Sequence, residues 1–175
     1  MTLICKRGCN IIVFITLAFM IPILQACGVY SFTGASIPPE AKTISIQQFI
    51  NNAPLVQPML SQRLTDALRD KFSSQTNLSQ VSANGDLAFE GYITDYNTQP
   101  VAITGDETAA LNRLTISVKV SYSNRFDEKQ NFEASFSRFE EYESSRSLSE
   151  VEDQLMEQII DALVQDIFNR SVVNW

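Results

Sequence analysis

The chain has 175 residues, with 13 Lys or Arg, 20 Asp or Glu and no His, for a formal net charge of −7. Without an imidazole the sequence excludes Ser-His-Asp and Cys-His nucleophilic catalysis, histidine metal sites and the usual neutral-pH switch. Its negative charge opposes nucleic-acid phosphates and broad docking on anionic lipid, and keeps a domain soluble.

Lys6 and Arg7 precede an apolar run from Ile11 to Leu24 that holds one polar residue, Thr16, and a late helix breaker, Pro22. A basic start, a short apolar run and a small residue before a cleavage site make a secretory signal. The run is too short for a transmembrane helix, which needs roughly 20 residues. It closes on Leu24-Gln25-Ala26-Cys27, which fits the bacterial lipoprotein pattern Leu-x-Gly/Ala-Cys. In that pattern diacylglycerol alkylates the thiol, and cleavage leaves the cysteine as an acylated first residue. Residues 1–26 are therefore expected to be a signal peptide and Cys27 a lipidation site, giving a protein anchored to a membrane but not spanning it. Removing 26 of the 175 residues leaves 149, one ordinary domain. Lys6 and Arg7 go with the signal, leaving 11 bases and 20 acids, net −9. Cys5 and Cys9 go too, so the mature chain has no intramolecular disulfide and must rely on packing.

Residues 27–41, with Gly28, Gly34, Pro38 and Pro39, read as an acylated extended leader. Alternation around Tyr30 and Phe32 also allows a short edge strand there. Thr43 to Phe49 reads as a strand, with Ile44 and Ile46 two apart, and Asn51-Asn52-Ala53-Pro54 breaks it. A helix starts near Pro58, where a missing N–H costs nothing, and ends near Phe72 to Ser74, with Leu60, Leu64, Ala67, Leu68 and Phe72 on one stripe. Leu78 to Val81 is a short strand before the turn Asn84-Gly85-Asp86. Leu87 to Asn97 is a longer one, with Leu87, Phe89 and Ile93 on one face, Glu90, Tyr92, Thr94 and Tyr96 on the other, and Gly91 as a bulge. Thr98 to Ala110, with Pro100 and Gly105, reads as a loop.

Leu111 to Tyr122 has the cleanest period of two. Leu114, Ile116, Val118, Val120 and Tyr122 alternate with Thr115, Ser117, Lys119 and Ser121. After a polar turn, Phe132, Ala134 and Phe136 resume the alternation, so Leu111 to Arg138 is a hairpin. Leu148 to Ser171 is the second helix, capped by Ser147 or Ser149 with Glu150, Glu152 and Asp153 in its first turn. The expected fold is α+β, with two amphipathic helices on one face of a mixed four- to five-stranded sheet. Residues 42–175 form the domain, and the opposite sheet face is polar, carrying Thr115, Ser117, Lys119, Glu133 and Ser137. No phosphate loop, calcium loop or repeat is present, and neither cofactor nor metal is expected. Glu140 with Glu141 and Glu152 with Asp153 are the acid pairs a glycosidase could use. They sit among twelve acids and four bases in residues 127–175, the composition of a solvated face.

Several short segments together resemble one family. They are the Cys27-Gly-Val-Tyr-Ser-Phe-Thr-Gly start, the Ile37-Pro-Pro step, Phe49-Ile-Asn-Asn-Ala-Pro-Leu55, Gly85-Asp-Leu87, Phe89-Glu-Gly-Tyr-Ile93, Phe126-Asp-Glu-Lys129, Phe132-Glu133 and Phe136-Ser-Arg138. They resemble the Bacteroidetes-type branch of the LptE lipopolysaccharide-assembly lipoproteins over nearly the whole mature chain. The resemblance implies a lipid-anchored protein at the periplasmic face of the outer membrane, seated as a plug in the LptD barrel. There it would assist delivery of lipopolysaccharide to the outer leaflet. It also implies basic contacts to lipopolysaccharide, for which Arg113 and Lys119 in the most regular strand are the candidates; the acidic C-terminal half runs against direct binding of an anionic glycolipid. No catalytic residue is expected. The alternative is a surface-exposed or periplasmic glycan-binding lipoprotein without a barrel partner, using aromatics expected to be exposed, namely Tyr30, Tyr92, Tyr96 and Tyr142.

Overall fold

The computed structural model describes residues 37–101 and 110–172. The signal segment 1–26, Cys27, the leader to residue 36 with its allowed edge strand, and residues 102–109 of the expected loop lie outside the described residues. The elements run β1 Thr43–Ile46, β2 Ile50–Asn51, α1 Leu60–Gln75, β3 Ser79–Val81, β4 Leu87–Val101, β5 Leu111–Asn124, β6 Phe132–Glu143 and α2 Leu148–Val172. Among the described residues six strands form one sheet in the order β3-β1-β4-β5-β6, with β2 beside β4. The pairs β1–β3, β1–β4 and β2–β4 are parallel, and β4-β5-β6 is an antiparallel meander. The helices pack against the sheet's apolar side, as the two-layer α+β reading requires.

Three departures from the sequence reading have local causes. The first strand splits, because after the Gln47 N–H donates to the Phe89 carbonyl (3.0 Å) the chain leaves the sheet and drives Phe49 into the core. Pairing resumes at Ile50, which adds a sixth strand to the four or five expected. In β4 the bulge falls between Ile93 and Asp95 and not at Gly91. One extra residue there moves the core face from odd to even positions, so Tyr96 is 2% exposed where an outward tyrosine was expected. The expected loop is also shorter at its start, since Thr98 to Val101 pair with Leu114 to Leu111. Pro100 is tolerated because, among the described residues, no strand flanks β4 past Ile93 on that side.

One core joins both helices to β1, β4, β5 and β6. Leu114, Ile116, Val118, Val120 and Tyr122 of β5 are buried, as are Leu60, Leu64, Leu68 and Phe72 at every fourth position of α1. Each such side chain contributes about 1.5–3 kcal/mol of burial. Aromatic contacts run from α2 through α1 into the sheet, with ring centroids 5.0 Å apart for Phe168–Phe72, 5.0 Å for Phe72–Phe89 and 4.8 Å for Phe89–Tyr122. Burial pushes the Tyr122 phenol up to about 12. Ile37 and Ala41 pack onto the same core, so the end of the leader is docked. Arg63 meets Asp153 across the helices at 3.0 Å, and Arg138 grips Asp166 through two bonds of 2.6 and 2.7 Å, tying β6 to α2.

The Asn84-Gly85-Asp86 turn locks β1 to β4. Asn84 takes φ 55°, a left-handed value that asparagine tolerates. A Cβ on Gly85 would lie 2.5 Å from the Ser45 nitrogen, so only glycine fits. The Asp86 carboxylate accepts the N–H groups of Lys42 and Thr43 (both 3.0 Å) and the Thr43 hydroxyl (2.8 Å). The Lys42 N–H first, then Thr43 and the charge of Arg125, hold that carboxyl below its ordinary value of 3.8. A carboxyl depressed in the folded state stabilises above its unfolded pKa and loses that contribution as pH falls through its folded value. Asp86→Asn should therefore lower Tm at neutral pH, and the gap to the unsubstituted protein should narrow as pH drops below 3.8. Thermal melts from pH 7 to pH 2 check this; a gap independent of pH would refute the assignment.

Candidate functional site

The outer face of the β4-β5-β6 meander is left free by the two helices. Alternation puts every second side chain there, and the register aligns five rows: Gln99–Arg113–Glu141, Asn97–Thr115–Phe139, Asp95–Ser117–Ser137, Tyr92–Lys119–Ser135 and Glu90–Ser121–Glu133. The face is polar, as expected, with Phe139 and Tyr92 as its aromatics. It carries four acids and two bases, and both bases are already partnered. The Arg113 Nε donates to Glu141 Oε1 at 3.0 Å while its guanidinium lies 4.0 Å over the Phe139 ring. Lys119 is paired with Glu133, and that bond, with the Glu133 charge and Tyr92, raises its pKa. Ser117 and Ser137 share a hydrogen bond of 2.9 Å. The two candidate contacts to lipopolysaccharide thus lie on one face but three rows apart, each neutralised by a carboxylate of β6.

Where residues 47–49 leave the sheet, a notch opens beside β4. Its cavity of about 250 Å³ is lined by Gln47, Gln48, Ile50, Glu90, Tyr92 and Lys119 among others, and Gln47 Nε2 donates to Glu90 at 3.1 Å. Such a pocket offers amide, carboxylate and aromatic contacts. It offers a phosphate little, since its one cation is held by Glu133.

The acid pairs do not converge. Neighbours on a strand project to opposite faces: Glu141 sits on the outer face with Arg113, and Glu140 on the helix side. Glu152 accepts the Tyr96 hydroxyl, whose pKa is raised by burial and then by that carboxylate, and Asp153 holds Arg63. Among the described residues no three His, Cys, Asp or Glu side chains group as metal ligands, and no helix is long and apolar enough to cross a membrane. The glycan reading loses two aromatics: Tyr142 is 8% and Tyr96 2% exposed, which leaves Tyr92 at 37%, while Tyr30 lies outside the described residues. Tyr142 turns inward because β6 ends packed under α2.

Sequence reasoning missed a second feature of this side, a run of apolar side chains that the fold leaves in water. Ile50, Leu55, Val56 and Met59 are all exposed. Its signal was present as a stretch without charge, from Thr43 to Gln62.

Over residues 41–171 the chain matches the LptE family, described as lipopolysaccharide-assembly. No curated protein matches the chain in sequence. Among solved structures, a minor lipoprotein from Acinetobacter baumannii is 16% identical, with 74% of this chain and 91% of that one covered at a TM-score of 0.49. Rare lipoprotein B from Shewanella oneidensis is 11% identical, covering 74% and 90% at 0.47. A neuraminyllactose-binding hemagglutinin homologue from Helicobacter pylori is 9% identical, covering 80% and 88% at 0.50, and shares the fold.

Proposed function

The chain belongs to the LptE family of lipopolysaccharide-assembly proteins, and from that premise we propose that it is an outer-membrane lipoprotein acylated at Cys27. On this reading its domain sits on the periplasmic side, plugs an LptD-type β-barrel and assists its assembly for lipopolysaccharide transport to the outer leaflet. The observation that supports this best is the outer face of β4-β5-β6. Large barrels have polar interiors and apolar exteriors. A long face of hydroxyls, amides and two internal ion pairs matches a polar lumen wall, with Glu90 and Asp95 left for lumen side chains to meet.

The contribution is steric and interfacial. Polar rows meet lumen side chains, and the acyl anchor raises the domain's effective concentration beside the barrel. Direct contact of Arg113 and Lys119 with lipopolysaccharide is the weaker part of the reading, since a phosphate would have to displace Glu141 and Glu133. Affinity purification of the tagged full chain from detergent-solubilised outer membrane should recover a large β-barrel in near-stoichiometric yield. Repeated recovery of the protein alone would reject the reading.

A further inference from the structure

The loop between β2 and α1 is held in one shape by its own side chains, and what it presents is apolar. Asn51 closes it: Oδ1 accepts the Ala53 N–H (3.1 Å) and Nδ2 donates to the Gln57 carbonyl (3.1 Å). Gln57 Oε1 then accepts the Met59 N–H at 2.7 Å and ends the loop at the first turn of α1. Ala53 is buried beneath, while Ile50, Leu55, Val56 and Met59 stand 65%, 56%, 62% and 47% exposed. In register, Ile50 pairs with Tyr92, so the patch continues onto the outer sheet face. Scattered apolar side chains on a surface are ordinary, but a contiguous group marks an interaction site. A loop already fixed by its own hydrogen bonds has little ordering entropy left to lose on binding.

We propose that Leu55 and Val56, with Ile50, Met59 and Tyr92, form a dock for an uncharged apolar segment of the barrel partner; this rests on the barrel-plug reading above. Charge selects the occupant. No residue from Thr43 to Gln62 is charged, in a chain of net −7, so the patch complements a neutral surface and offers anionic headgroups nothing. Docking on a bilayer uses a rim of free cations. Of the cations flanking the patch in sequence and register, Arg63 and Lys119 are held by Asp153 and Glu133, and Lys42, at the far end of the uncharged stretch, donates its Nζ to the Pro39 carbonyl. Position agrees: the segment leading to the membrane enters at Ile37, before β1, while the loop follows the far end of β2. The tethered end and the dock therefore mark opposite ends of this sheet edge.

The test is site-specific photocrosslinking of the full chain in its own outer membrane, with p-benzoylphenylalanine at Leu55 in one variant and at Ser137 on the polar face in another. Support is a Leu55 adduct containing a β-barrel protein identified by mass spectrometry. A Ser137 adduct with the barrel, while Leu55 captures only lipid or nothing, overturns the dock and leaves the barrel reading standing. Absence of barrel adducts at both positions overturns both. As a second measure, the double variant Leu55→Asp, Val56→Asp should fold with unchanged circular dichroism and reduce barrel recovery at least tenfold; recovery at the unsubstituted level would also refute the dock.

Discussion

Replacing Phe49 by alanine is expected to destabilise the domain by about 3–5 kcal/mol, the range for emptying a buried aromatic site. That is a large share of the roughly 5–15 kcal/mol that holds a domain folded, and Tm should fall by about 10 °C. Phe49 is fully buried and fastens the excursion between β1 and β2 to α1 at two points. Its N–H donates to Thr65 Oγ1 at 3.1 Å, and its carbonyl accepts the Ser61 hydroxyl. The ring lies against Gly91, where a Cβ would come within 2.7 Å of it and 2.5 Å of the Lys119 carbonyl. This contact makes a double-mutant cycle informative. Gly91→Ala alone forces ring and strand apart, at a cost of about 1–3 kcal/mol. In the Phe49→Ala background the ring is gone but the Lys119 carbonyl remains, so Gly91→Ala should cost less there without becoming neutral. Urea unfolding of the four proteins measures the coupling; strictly additive costs would show that Phe49 and Gly91 do not press on each other.

The same region shows what the sequence could and could not reveal. The alternation of β5 and the four-residue stripe of α1 each follow from a single element burying one face, and both are legible as periodicity. The split at Phe49 is not, because Ile44, Ile46 and the following residues keep a strand-like pattern while the reason for leaving the sheet is a pocket between Gly91 and α1, distant in sequence. The bulge at Thr94 leaves no mark either. One inserted residue reverses the face of everything after it, so Tyr96 and Thr98 exchange sides with no change in composition. The candidate face depends on register across three strands. Arg113 and Lys119 could be chosen from regularity alone, whereas their pairing with Glu141 and Glu133 exists only once β6 is aligned with β5. The apolar loop was hidden for the opposite reason: the prolines and asparagines of residues 51–58 announce a break, and a break says nothing about which hydrophobic side chains the fold will leave uncovered.

Removal of the thiol at Cys27 is expected to have the largest functional effect, and it should do so without touching the fold. Among the described residues packing onto the core begins at Ile37, so Cys27→Ala, expressed behind a cleavable secretory signal, should melt at the same temperature as the unsubstituted protein. The loss falls on partitioning. Each buried CH₂ of an acyl chain contributes about 0.8 kcal/mol, which makes a single chain a marginal anchor and a multiply acylated cysteine a firm one. Without it the domain should pass from the membrane pellet to the soluble periplasmic fraction in cells that lack the barrel partner. Where the barrel is present, recovery of the complex should fall because the domain must then meet its partner from bulk solution and no longer from the millimolar range that a short tether supplies. If the proposed apolar dock and polar sheet face recognise the barrel, overproducing the unanchored domain should restore the complex. Retention in the membrane without the barrel would show that Cys27 is not the anchor, and a lowered Tm would show that the leader is part of the fold; full recovery of the complex at native expression would mean that tethering contributes nothing to its assembly.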